Sequence, residues 1–124
     1  MSGKEILVDT NILIYLLNGS KTIEEILTGK KIYISFITEL ELLGFKNISA
    51  KQEKLLQNLL NDCVILPLNE RIKINYISLR KTSSLKLADS IIAATALAVN
   101  ITLFSADKQL KQIKELDLLL FHNS

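Results

Sequence analysis

Cysteine, proline and glycine are all scarce in this chain of 124 residues, which has one Cys, one Pro and four Gly. The lone Cys63 excludes an internal disulfide framework and a cysteine-built zinc site, and a reducing, cytoplasmic setting is the expectation. So little proline and glycine excludes a collagen-like or proline-rich chain. Long apolar runs are missing as well. No stretch of ~18 uncharged apolar residues offers a membrane span. The opening Met-Ser-Gly-Lys-Glu leads into a short strand-like run ended by Asp9, not into an apolar signal region. A large excess of one charge is also missing. Fifteen Lys and Arg against 13 Asp and Glu give +2, too mild to declare nucleic-acid binding.

What is present is 48% apolar and 23% charged residue content, that of a soluble globular protein. The length predicts one domain over residues 1–124, large enough to bury a core without a disulfide or structural metal. Strand and helix patterns alternate. Strands are expected at 5–9, 32–35, 63–67, 101–105 and 118–121. Helices are expected at 10–17, from Ser20 (a candidate cap, as is Thr22 with Glu25), at 36–45, from Ser49 to about Asp62, at 69–82, at 85–100 and at 107–115. The run 85–100 is apolar all round and reads as a central buried helix. The expectation is an α/β domain: a mostly parallel sheet of four or five strands, with helices on both faces. In such folds ligands sit beyond the carboxyl ends of the strands.

Several acids fall at that edge. Asp9 closes the first strand, and Asp107 follows the fourth by two residues. Either could simply cap the next helix. Asp89 is the only ionisable residue between Leu87 and Phe104. A buried carboxylate is costly unless paired or metal-bound, unless Asp89 caps a helix starting at Ser90. Glu39 and Glu41 lie ~200° apart on one helix, so at most one faces the cleft. Four gathered carboxylates cannot all ionise without a cation. An all-oxygen acidic set favours Mg²⁺ or Mn²⁺ over zinc, and suits phosphoryl chemistry.

Four segments, in order, resemble the motifs of PIN-domain ribonucleases. They are Val8-Asp9-Thr10-Asn11, Ile34-Ser-Phe-Ile-Thr38 with Glu41-Leu-Leu-Gly44, Leu87-Ala-Asp89-Ser-Ile-Ile-Ala-Ala94, and Leu103-Phe-Ser105-Ala-Asp107. The length also resembles that of VapC-like toxins of toxin–antitoxin pairs. The resemblance picks Glu41 over Glu39, since the family's acid follows the Thr by three residues. It implies an acidic, metal-holding and catalytic set of Asp9, Glu41, Asp89 and Asp107. Asn11 and Ser105 resemble supporting polar positions, Ser105 standing for a commoner Thr. Leu110 stands where many relatives have Phe, a matter of packing.

The resemblance further implies an Mg²⁺- or Mn²⁺-dependent endoribonuclease that hydrolyses RNA by a metal-activated water, leaving a 5′-phosphate and a 3′-hydroxyl. It implies a homodimer, with a face for instance around Tyr15, Leu16 and Leu17, and an antitoxin segment across the acidic cleft. No His, Cys or Ser nucleophile is required, and the only histidine, His122, reads as a surface residue. Outside the four acids, 15 basic residues face nine acidic ones, +6 for the rest of the chain. Arg71, Lys73, Arg80, Lys81 and Lys86 precede Asp89, and Lys108 and Lys111 follow Asp107; these either contact phosphates flanking the cut or form ordinary solvated faces. Aromatics for base stacking are few, and Tyr15, Tyr33 and Tyr76 read as core or rim residues, so RNA shape would carry specificity.

Other readings fit less well. A phosphoacceptor receiver needs an Asp after a middle strand, where this chain has Pro67-Leu68-Asn69. A haloacid-dehalogenase-type phosphatase needs Asp-x-Asp after the first strand, where this chain has Asp9-Thr10-Asn11. A non-catalytic PIN-like module that binds RNA or protein is the alternative, though its acid set would be expected to have decayed.

Overall fold

The computed structural model describes residues 4–122. Its elements alternate: β1 (Glu5–Val8), α1 (Thr10–Leu17), α2 (Lys21–Leu27), β2 (Lys31–Ser35), α3 (Phe36–Leu43), α4 (Ala50–Asn61), β3 (Val64–Leu66), α5 (Glu70–Thr82), α6 (Leu87–Val99), β4 (Thr102–Ser105), a 3-10 turn (Lys108–Gln112) and β5 (Leu118–Leu120). The strands form one sheet, ordered β3-β2-β1-β4-β5, in which every pairing is parallel.

Side chains on a strand alternate between faces, and here both faces are buried. Ile6 and Val8 enter one core with Ile34 and Phe104. That core is closed by Ile12 and Leu13 of α1, Ile23 of α2 and Leu56 of α4. Leu7 and Leu103 point the other way, into a core closed by Ile72 and Leu79 of α5 and Ile92, Ala93 and Ala96 of α6. Alanines let α6 approach the sheet closely, which explains its apolar composition.

The order of strands places the site. From β1 the chain steps through β2 to β3 on one side, then returns through α5 and α6 to β4 on the other. The switch therefore lies between β1 and β4, where an open parallel sheet leaves a crevice at its carboxyl edge.

Helix starts follow side-chain caps. The Ser20 hydroxyl accepts the Ile23 amide, Asn69 accepts that of Ile72, and Ser49 and Gln52 form a reciprocal capping box. Thr22 is no cap: the helix has already begun at Lys21. The expected helix over 107–115 is only the 3-10 turn, ending where Ile113 turns extended. Leu110 and Ile113 are buried as expected. Helix α6 starts at Leu87 and ends at Val99, and both of these terminal residues are exposed, so it is not buried all round.

Candidate functional site

Asp9 leaves β1 at its carboxyl end and occupies the N-cap position of α1, yet its side chain caps nothing. Its backbone amide extends the sheet by donating to the Phe104 carbonyl at 3.0 Å. Its carboxylate is 5% exposed and accepts the Ser105 hydroxyl at 2.5 Å. That hydroxyl also accepts the Asp107 amide at 3.0 Å. Ser105, itself fully buried, thus ties the ends of β1 and β4 together and fixes two acids at once.

Asp107 does cap: its Oδ1 accepts the Gln109 amide at 2.9 Å. The capping reading and membership of the cluster both hold for it. Asp89 is the third residue of α6, because the helix begins at Leu87 rather than Ser90, so it is no cap. It lies in the first turn, where the helix dipole favours a negative charge.

Glu41 is held by Thr10, whose hydroxyl lies 2.6 Å from Oε1. The Thr38 hydroxyl stands 3.0 Å behind that of Thr10. Glu39 makes no such contact among the described residues, so the geometry selects the same glutamate as the motif. Neither threonine stands out when acids alone are scanned. The signal was there, however: Thr10 directly follows Asp9, and Thr38 and Glu41 share a helix face at a spacing of three.

The electrostatics show the four acids to be neighbours. The Asp89 carboxyl is pushed up to about 6, by partial burial first and then by the charge of Asp107. Asp9, a hydrogen bond with Asp107, and Glu41 add to the rise. Asp9 is also raised, chiefly by burial, against the lowering pull of Ser105 and the Asn11 and Thr10 amides. Among the described residues, no Lys or Arg lies within ion-pair distance of the four carboxylates. Nor do three ligating side chains among them converge tightly enough to grip an ion as positioned. The arrangement is one of neighbouring carboxylates at the carboxyl edge of the sheet, whose like charges act on one another with no basic partner among the described residues.

The repulsion carries a testable consequence. Because the folded protein holds the Asp89 proton to about pH 6 and the unfolded chain releases it near 3.8, folding stability falls as pH rises through that window. In ion-free buffer, Asp89→Asn is expected to melt higher than the parent above pH 6, with the difference vanishing below pH 4. At this half-exposed position, solvent screening leaves a gain on the order of 1 kcal/mol. Melting curves from pH 3.5 to 8 check it; an Asn variant less stable at pH 7.5 would contradict it.

The other expected residues are distributed unevenly. Asn11 is exposed, and its side chain contacts none of the acids; only its backbone amide bears on Asp9. The Arg80 guanidinium donates to the Leu85 carbonyl at 2.8 Å, so it braces the α5–α6 connection. Lys81, Lys86, Lys108, Lys111, Arg71 and Lys73 are exposed. Lys86 immediately precedes α6, and Lys108 follows Asp107. Tyr15 is half-buried against Phe121, Tyr33 donates to Glu5 at 2.8 Å, and Tyr76 packs on the α5–α6 core. His122 is exposed. Burial pushes the Cys63 thiol up to about 11, far from a reactive thiolate.

Fold and site together define an α/β domain with an acidic cleft at the switch point of a parallel sheet. The PIN domain family profile matches residues 6–116. A chain of a toxin–antitoxin complex from Klebsiella pneumoniae is 30% identical, with 92% of this chain and 95% of that one covered and a TM-score of 0.78. A chain of VapBC2 from Rickettsia felis, solved bound to a DNA fragment from their promoter, is 24% identical, with coverages of 95% and 99% and a TM-score of 0.82. A chain of DNA-bound VapBC from Salmonella typhimurium is 19% identical, with coverages of 93% and 96% and a TM-score of 0.79. No curated protein sequence matches the chain. The chain belongs to the PIN-domain family.

Among the described residues, no helix is long and apolar enough to cross a membrane.

Proposed function

We propose that the protein is a divalent-cation-dependent endoribonuclease, the toxin of a toxin–antitoxin pair, working in the cytoplasm. One observation supports the reading: four carboxylates are neighbours at the switch-point edge with no Lys or Arg within ion-pair distance among the described residues, and partial burial together with the neighbouring charges pushes the Asp89 carboxyl up to about 6. Hard oxygen ligands with excess negative charge fit Mg²⁺ or Mn²⁺. Asp9, Glu41, Asp89 and Asp107 would hold the ion. When bound, such an ion supplies Lewis acidity and charge neutralisation at a phosphodiester.

The chain's own residues do the rest. Ser105 orients Asp9 and seats the turn that carries Asp107. Lys86, just before the helix of Asp89, and Lys108, just after Asp107, would neutralise flanking phosphates, together with Lys81 and the remaining N–H groups of Arg80. Nothing in the cleft offers a nucleophilic Cys or His.

A cognate antitoxin is the expected protein partner, since the structural relatives come from toxin–antitoxin complexes. A segment of it laid across the acidic crevice would exclude RNA. A homodimer is expected too. Leu16 and Leu17 are only partly exposed, whereas Leu40 and Leu43 on α3 and Ile74 and Ile77 on α5 are 42–56% exposed and offer more apolar surface to a second copy.

The test incubates purified protein with total tRNA and ribosomal RNA, with Mn²⁺ or Mg²⁺ and again with chelator. Cation-dependent cleavage leaving 5′-phosphate ends is the expected result. Neither cleavage nor cation binding would overturn it and leave a non-catalytic RNA- or protein-binding module.

A further inference from the structure

Glu41 is exposed on α3, yet one of its oxygens is held by a hydrogen bond. A carboxylate only accepts hydrogen bonds, so the Thr10 proton goes to Glu41 Oε1 at 2.6 Å. Thr10 Oγ1 must then accept the proton of Thr38, 3.0 Å away. Thr10 is 7% exposed and Thr38 is fully buried, so water is kept from the link between the two hydroxyls. The relay joins three places: the turn after Asp9, the interior of α3 and the cleft. Oε2 of Glu41 has no partner among the described residues.

We propose that Thr10 is a positioning residue, whose hydroxyl, oriented by Thr38, pins one oxygen of Glu41 and leaves the other free for a divalent cation. The proposal rests on the cation-dependent reading above. Its physical basis is preorganisation. A glutamate on a surface helix samples many rotamers, and a buried, directional donor selects one of them before any ion arrives. Because Thr10 also adjoins Asp9 in sequence, the same turn sets the spacing between those two acids.

Manganese titrations followed by the electron paramagnetic resonance of free Mn²⁺ test the proposal without relying on cleavage. Thr10→Val removes the hydroxyl at nearly constant volume and is expected to weaken Mn²⁺ binding about tenfold. Thr10→Ser keeps the hydroxyl and is expected to bind like the parent. Adding Thr10→Val to Glu41→Gln is expected to change nothing further, since Thr10 acts through Glu41. Should Thr10→Val fail to melt cooperatively, Thr10→Ala carries the same comparison. Parental binding by Thr10→Val, equal weakening by Val and Ser, or an undiminished loss in the Glu41→Gln background would each overturn it. A parent protein that binds no Mn²⁺ would overturn the cation-dependent reading as well, whereas a binding parent with an unaffected Thr10→Val would overturn this inference alone.

Discussion

Asp9→Asn is expected to lower RNA cleavage at least ~100-fold, equivalent to ~2.7 kcal/mol of barrier, while leaving the protein folded. The geometry separates the two effects. Asn keeps the shape of Asp and an oxygen to accept the Ser105 hydroxyl, so the tie between β1 and β4 survives. What disappears is a charge that is 5% exposed and disfavoured by its own burial, so folding loses nothing from its removal. Melting should therefore hold or rise as cleavage falls. Parallel preparations compared for cleavage rate and melting temperature check this. Undiminished cleavage would expose a contaminating nuclease, and a large drop in melting temperature would assign Asp9 a structural role instead.

The second large effect concerns the sheet beneath. Phe104 is fully buried in the interior strand β4 and meets Phe121 edge-on at 6.2 Å. Phe104→Ala leaves a cavity that close-packed neighbours fill only in part, costing ~3–5 kcal/mol. Against a typical total of ~5–15 kcal/mol, that is a large share of the domain's stability. A fall in melting temperature of roughly 10–20 °C is expected. Leu119 on the edge strand is 41% exposed, and Leu119→Ala should cost less than ~1 kcal/mol. Equal losses in the two variants would contradict this placement of the core.

Much of the fold was legible in the sequence because both signals of an α/β domain are local. Runs such as Ile6-Leu7-Val8 mark strands buried on both faces, and capping residues such as Ser49 and Asn69 mark helix starts. What escaped lay at the ends of elements. The stretch after Asp107 has a helical pattern, but the chain forms only a 3-10 turn there before Ile113 turns extended. The start of α6 carries no side-chain cap, so the pattern around Asp89 did not fix whether the helix began before or after it. The acids were legible as a set from strand ends and from the resemblance of four motifs. Their partners were less so. Ser105 followed from the motif and bonds to Asp9, whereas Asn11, two residues after Asp9, is exposed and reaches it only through its backbone amide. Thr10 adjoins Asp9 and Thr38 shares a helix face with Glu41, but the contact that joins the two threonines spans 28 residues.

The central claim is that the switch-point carboxylates form a divalent-cation site. The most direct measurement is the melting temperature of the ion-free protein as Mn²⁺ is added, beside the same titration of an Asp9→Asn, Asp107→Asn double variant. An ion that binds only the folded state raises its melting temperature. A saturable rise in the parent, lost in the double variant, is predicted. No rise in the parent, or the same rise in both, would contradict the account.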